Sequence, residues 1–193
     1  KLERDRVIAE IAADLEVQES MRQGFTRDPR IPTDEPKAIL PDEGGAVDLG
    51  GLGIHWKIDG NDTDERFAVV HHPIAPRTLA APLHYHHNED EYSYVLEGTL
   101  GALLGDDVVE AGPGTWVFKP RGQWHTFWNA GDTPCHIIEV ISPAGFENYF
   151  RELAQAAGDM ERFAQINEKY ALDMDFESVP ALCERFGLTV TEL

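Results

Sequence analysis

Cysteine is scarce in this chain: Cys135 and Cys183 are the only two among 193 residues. Two are too few to staple a secreted fold, so the expectation is a reducing, cytoplasmic setting. Positive charge is scarce as well. Sixteen Lys and Arg stand against 35 Asp and Glu, for a formal net charge of −19. Phosphate backbones and anionic headgroups are held by clustered cations, so neither nucleic acid nor a membrane surface is expected as a partner. No apolar run approaches the roughly 20 residues of a spanning helix, and no signal peptide opens the chain. Lys1 stands where Met is usual, which sets the expectation of a trimmed upstream segment. Internal repetition is missing too, since the pattern His-x-His occurs once and neither half echoes the other.

What is present is enough for a globular core. The apolar fraction is 42%, with nine phenylalanines, and the length suits one ordinary domain with helical additions. Residues 1–23 read as an amphipathic helix whose stripe is Ile8, Ile11 and Leu15, used either for packing or for a dimer contact. A stretch rich in Pro, Gly and Asp follows, so residues 1–50 are taken as a helix plus an extended arm. From Leu52 short alternating runs recur between turn residues, the signature of an antiparallel sandwich or barrel over residues 51–145. Strands are expected at Ile54–Ile58, Arg66–His72, Thr99–Leu104, Val108–Glu110, Thr115–Lys119, His125–Asn129 and Cys135–Ser142. Beyond Pro143 the period becomes helical. Phe146, Tyr149, Phe150 and Leu153 make one stripe, read as packing; Gly158 ends that helix and Asp159 caps the next. Ser178 is expected to cap a last short helix ending at Gly187, completing a helical extension over 146–193.

The chemistry concentrates in two stretches. The first is His84-Tyr-His86-His-Asn-Glu-Asp-Glu91, continuing to Gly98. In a strand, side chains alternate faces, so His84 and His86 point one way, about 6.6 Å apart along the chain. Two imidazoles so placed can converge on one ion at about 2.0–2.1 Å. Helical i, i+4 spacing is absent. Glu89, Asp90 and Glu91 crowd together, and spacing alone would allow Glu89 to take the place of Glu91. His87 faces away from His86. The second stretch runs from Gly114 through Pro120, Gly122 and His125 to Asn129, a loop that delivers one histidine to the start of a strand.

Together these stretches resemble the paired motifs of the cupin family. The first fits H-x-H-x4-E-x6-G and the second fits G-x5-P-x-G-x2-H-x3-N. One departure is the family's leading glycine, which is Thr78 here. The resemblance implies an all-β core, a double-stranded β-helix or jelly-roll barrel, with an N-terminal helix and arm and C-terminal helices. It also selects Glu91 among the three acids, giving His84, His86, Glu91 and His125 as ligands of one divalent transition metal: Fe, Mn, Ni, Co, Zn or Cu. Glu89 and Asp90 are then expected as solvated loop acids, with a supporting role behind an imidazole as the alternative. His55, His71, His72 and His136 are expected in surface or core roles.

By the same alternation Ser93 and Val95 face inward with Glu91, and Phe127 shares a face with His125. Which of Trp116/Phe118 and Val117/Lys119 points inward stays open. Trp124, Phe127 and Trp128 could form an aromatic wall near His125; Arg121 and Gln123 are loop residues or substrate contacts. Likeness to quercetinase-like single-domain cupins implies a dioxygenase acting on an enol, flavonol or diketone, with Glu91 both ligand and base. A non-oxidative isomerase, cyclase or decarboxylase, and a non-catalytic small-molecule binder, are the alternatives. A homodimer is expected from the way such barrels pair at sheet edges.

Overall fold

Alternation is clearest in Cys135–Ser142, where Cys135, Ile137, Glu139 and Ile141 are buried and the residues between them are not. The computed structural model describes residues 37–156 and 158–189; the helix expected over 1–23 and much of the arm lie outside the described residues. Among the described residues there are twelve strands: β1 (Ala46–Asp48), β2 (Gly53–Ile58), β3 (Ala68–Ile74), β4 (Thr78–Leu79), β5 (Leu83–His86), β6 (Asp90–Glu97), β7 (Leu100–Leu104), β8 (Asp107–Ala111), β9 (Trp116–Lys119), β10 (His125–Asn129), β11 (Cys135–Ser142) and β12 (Leu172–Asp175). Three helices follow the barrel strands: α1 (Glu147–Ala154), α2 (Met160–Lys169) and α3 (Ser178–Phe186).

The strands form two antiparallel sheets, one ordered β1-β2-β3-β11-β6-β9 and the other β12-β5-β10-β7-β8, with β4 also pairing β10. Inward residues of both sheets make the core. Ile54, Val70, Ile74, Val95, Leu100, Ile137 and Ile141 are all fully buried, and each such side chain contributes about 1.5–3 kcal/mol by leaving water. This is the jelly-roll architecture, with its helices at the C-terminal end.

Two motif glycines are explained by backbone geometry. Gly98 has φ 78°, and a Cβ there would lie 2.8 Å from Cys135 Cα, so any side chain would collide where β6 turns into β7. Gly122 has φ 77° and its N–H donates to the His86 carbonyl at 2.9 Å, stitching the loop to β5. Thr78, where the family pattern has glycine, sits buried in β4 opposite Asn129. Asn129, the last motif residue, donates to the carbonyls of Ile74, Ala75 and Thr133 and accepts from the Gly131 N–H. It is a stitch between strands.

The C-terminal segment departs from expectation in two places. Leu172–Asp175 is a strand, β12, which pairs antiparallel with β5: Leu172 opposite His86, Met174 opposite His84. Four residues between helices carry too little alternation to announce a strand; the free edge of β5 recruits them. Ser178 does not cap α3. Its hydroxyl donates to the Asp175 carbonyl, while the Asp175 carboxylate accepts from the N–H groups of Glu177 and Ser178. Asp159 does cap α2, and Gly187 ends α3 in the left-handed conformation.

Candidate metal centre

The site lies between the sheets. β5 supplies His84 and His86, β10 supplies His125 directly opposite His84, and β6 supplies Glu91 from the facing sheet. All four are buried, and one ligand atom from each lies within 4.8 Å of the others. Backbone carbonyls fix two imidazoles: His84 Nδ1 donates to Pro82 at 2.8 Å and His125 Nδ1 to Gln123 at 2.9 Å. A carbonyl only accepts, so both Nδ1 atoms carry the proton and both Nε2 atoms keep a lone pair for an ion. His86 Nε2 stands 3.5 Å from Glu91 Oε1, and His125 Nε2 stands 3.4 Å from Glu91 Oε2.

The polar atoms at the centre fit a cation. His125 Nε2 and Glu91 Oε2 are buried with no hydrogen-bond partner, although Lys119 Nζ lies 2.9 Å from that oxygen as a charge. A buried donor set of three imidazoles and a carboxylate suits a transition metal. Burial first, then the crowding of His125 and His86 against any positive charge, holds His84 well below the usual histidine range. Burial likewise lowers His125, with Glu91 opposing. Both are therefore neutral, as ligation demands.

Glu89 corrects the expectation of a solvated loop acid. It is buried, and its Oε2 faces His86 Nδ1 at 3.6 Å, behind the imidazole on the side away from Glu91. Asp90 is not free either: its carboxylate takes a two-pronged contact from the Arg121 guanidinium at 3.0 and 2.8 Å and the Arg121 N–H at 2.9 Å. Arg121 thus ties the two motif loops together. His87 is exposed and pairs with Asp173.

Two charged residues escaped the sequence reading. On β9 Val117 and Lys119 face inward while Trp116 and Phe118 are exposed. Lys119 lies fully buried, 2.9 Å from Glu91 and 3.0 Å from Glu139. Burial works against its charge, but Glu139 and Glu91 outweigh that and raise its pKa. Burial alone would raise Glu91, yet the Lys119 ammonium, helped by the neighbouring imidazoles of His86 and His125, holds it well below the usual carboxylate range. Glu139 has the opposite balance: burial pushes it up to about 7, only partly offset by Lys119. Its Oε2 accepts from Ser93 at 2.7 Å and Lys119 at 3.0 Å, while its Oε1 has no partner. An acid at an inward position of β11 was the signal available in the sequence.

His84, His86, Glu91 and Glu139 line a cavity of about 40 Å³, together with His72, Phe127, Phe146, Tyr149 and Phe150. His72, expected only in a surface or core role, is buried and donates from Nδ1 to the Gly53 carbonyl at 2.9 Å. The α1 stripe read as packing is also a wall of this cavity, with Phe146 packed edge-on against His86. The aromatic wall expected from Trp124, Phe127 and Trp128 does not assemble. Phe127 lines the cavity, Trp128 stacks on Phe186, and Trp124 is exposed beside Tyr85.

Residues 70–141 match the family model described as "Cupin domain", with both motifs inside the match. These residues are a cupin domain. The chain is similar over 60 residues, at 35% identity, to tetracenomycin polyketide synthase protein TcmJ of Streptomyces glaucescens, a match covering 31% of this chain and 40% of that protein. The cupin core also superposes on solved structures. KdgF from Halomonas sp. gives a TM-score of 0.50 at 16% identity, covering 57% of this chain and 96% of KdgF. A predicted oxalate decarboxylase from Thermotoga maritima gives 0.52 at 17%, covering 55% and 99%. At those identities the shared feature is the fold. Among the described residues, no helix is long and apolar enough to cross a membrane.

Proposed function

We propose that this chain is a metal-dependent enzyme acting on a small enolisable molecule of the diketone or polyketide type. The observation that carries the proposal is the convergence of three buried imidazoles and one carboxylate on a single point beside a cavity. His84, His86, His125 and Glu91 would hold one divalent ion, which would supply Lewis-acid stabilisation of an enolate.

The chain's own groups divide the remaining work. Glu91 is the ligand carboxylate, and because Lys119 keeps it ionised it is a weak base. Glu139, poised near neutral pH with a free Oε1, is the better matched carrier of the substrate proton, so we assign it the acid–base role first expected of Glu91. Lys119 positions both carboxylates. Phe146, Tyr149 and Phe150 keep bulk water from the reacting end.

The finer reading is cleavage by dioxygen. A non-oxidative cyclisation or rearrangement is the second reading, favoured by the name of the Streptomyces relative, because polyketides are runs of enolisable ketones. Elemental analysis of the purified protein comes first, followed by oxygen uptake and product mass with flavonols and diketones, in air and under strict anaerobiosis. Uptake of dioxygen matched to product supports the first reading; turnover without oxygen replaces it with the second. A protein that retains no metal overturns both.

Two wider proposals accompany this one. A cytoplasmic setting is supported by two free cysteines. A homodimer through the β9 edge is supported by exposed Trp116 and Phe118, which continue an aromatic face with Tyr94 and Tyr92.

A further inference from the structure

The metal cavity is too small for the substrate proposed for it. Its 40 Å³ is far below the roughly 300 Å³ lower end of small-molecule sites, enough for a reacting group but not for a whole substrate. A second, larger chamber adjoins it. That chamber measures about 320 Å³, inside the roughly 300–1,000 Å³ range of small-molecule sites. Leu52, Ala81, Tyr149, Phe150 and Met174 line both spaces, so the two are separated by one layer of side chains. Phe150 is half-buried in that layer and packs edge-on against His72.

The larger chamber is built for an uncharged, flat occupant. Tyr149, Phe150, Phe163 and Phe176 offer ring faces and edges, while Leu49, Leu79 and Leu153 are aliphatic. No charged side chain lines it, and the one phenol, Tyr149, already donates to Asn167 at 3.0 Å. Much of its wall comes from residues 149–179, the C-terminal segment outside the matched cupin region. Leu49, Gly50, Leu153, Phe163 and Phe176 also line a further hollow of about 310 Å³ beside it.

We infer that this chamber binds the apolar, fused-ring arm of the substrate, leaving only its enolisable dicarbonyl to reach the metal cavity past Phe150. The inference rests on the functional reading of that cavity and sharpens it to aryl-bearing diketones and ring-forming polyketides. Selectivity between short and aryl-bearing substrates then lies in the C-terminal helices, not in the barrel.

The test is calorimetric binding of three probes to the metal-loaded protein: acetylacetone, its naphthyl relative naphthoylacetone, and plain naphthalene. Burying the fused rings predicts that naphthoylacetone binds roughly 10- to 100-fold more tightly than acetylacetone. Leu153→Trp fills the chamber from α1 and should cut that ratio to about threefold or less; Val179→Phe, filling it from α3, serves if Leu153→Trp fails to fold. Metal content read by elemental analysis should match the parent protein in both. A ratio that is small in the parent, or survives both substitutions, overturns the inference while acetylacetone binding leaves the functional reading standing. Naphthalene that binds and is expelled by Leu153→Trp, with no acetylacetone binding, keeps the chamber as an apolar site and overturns the functional reading.

Discussion

Replacing Lys119 by Met tests the charge arrangement around the candidate centre. The ammonium is fully buried, with Glu91 and Glu139 at 2.9 and 3.0 Å. At an effective dielectric of about 20, each contact is worth roughly 5–6 kcal/mol before the cost of desolvating the charges. Removing one member of such a buried group typically destabilises by about 3–5 kcal/mol, because carboxylates are left buried without a counter-charge. We expect Lys119→Met to lose about that much in urea denaturation of the metal-free protein at pH 8. Acid should narrow the gap. Glu139 already titrates near 7 because it is buried, and without Lys119 its pKa climbs further, so the folded variant binds a proton that the unfolded chain releases down to ~4.3. The variant therefore recovers stability, relative to the parent, as pH falls from 8 toward 5. Adding Glu139→Gln should restore at least half of the loss, since one acid no longer needs compensation. Metal should restore more, as the cation replaces Lys119 opposite Glu91. A loss below about 1 kcal/mol, or a double variant no better than the single, would refute this account of the network.

Four further outcomes are expected. His86→Ala should leave most of the metal unbound by elemental analysis while circular dichroism still reports the barrel; full metal retention would place the centre elsewhere. His72 is held to about 4 by burial, so the unfolded chain takes up a proton near 6.5 that the folded chain refuses. Stability from this group is complete above 6.5 and is lost as pH falls to about 4, roughly 3 kcal/mol in all, and a flat profile over that window in metal-free denaturation would contradict it. Asn129→Ala should cost about 3 kcal/mol in denaturant, because three carbonyls and one N–H lose their partner. Trp116→Glu with Phe118→Glu should convert the proposed dimer to monomer in sedimentation without changing metal content.

The barrel was legible because alternation and turn residues mark its strands directly, as in Cys135–Ser142 and His125–Asn129, whose bounds the structure reproduces. His84, His86, Glu91 and His125 were legible because a strand places His84 and His86 on one face, and the motif spacing supplied the other two. Lys119 and Glu139 were not, for a physical reason. Alternation says that two faces differ, and hydrophobicity normally says which is inside; on β9 the aromatics face outward and a lysine faces in. A buried ion pair between strands distant in sequence inverts that cue, and only the β11-β6-β9 order of the sheet reveals it. β12 was hidden because its pairing is imposed by the edge of β5 rather than by its own pattern.

That edge pairing ties the far end of the chain to the ligand strand. Leu172 and Met174 lie directly opposite His86 and His84 in the strand pairing, and β12 sits between α2 and α3, each of which lends a residue to the wall of the apolar chamber. A movement that widens the chamber therefore pulls on the backbone holding two imidazoles. A ligand in the chamber and an ion held by the imidazoles would then be coupled mechanically, with a four-residue ribbon as the lever.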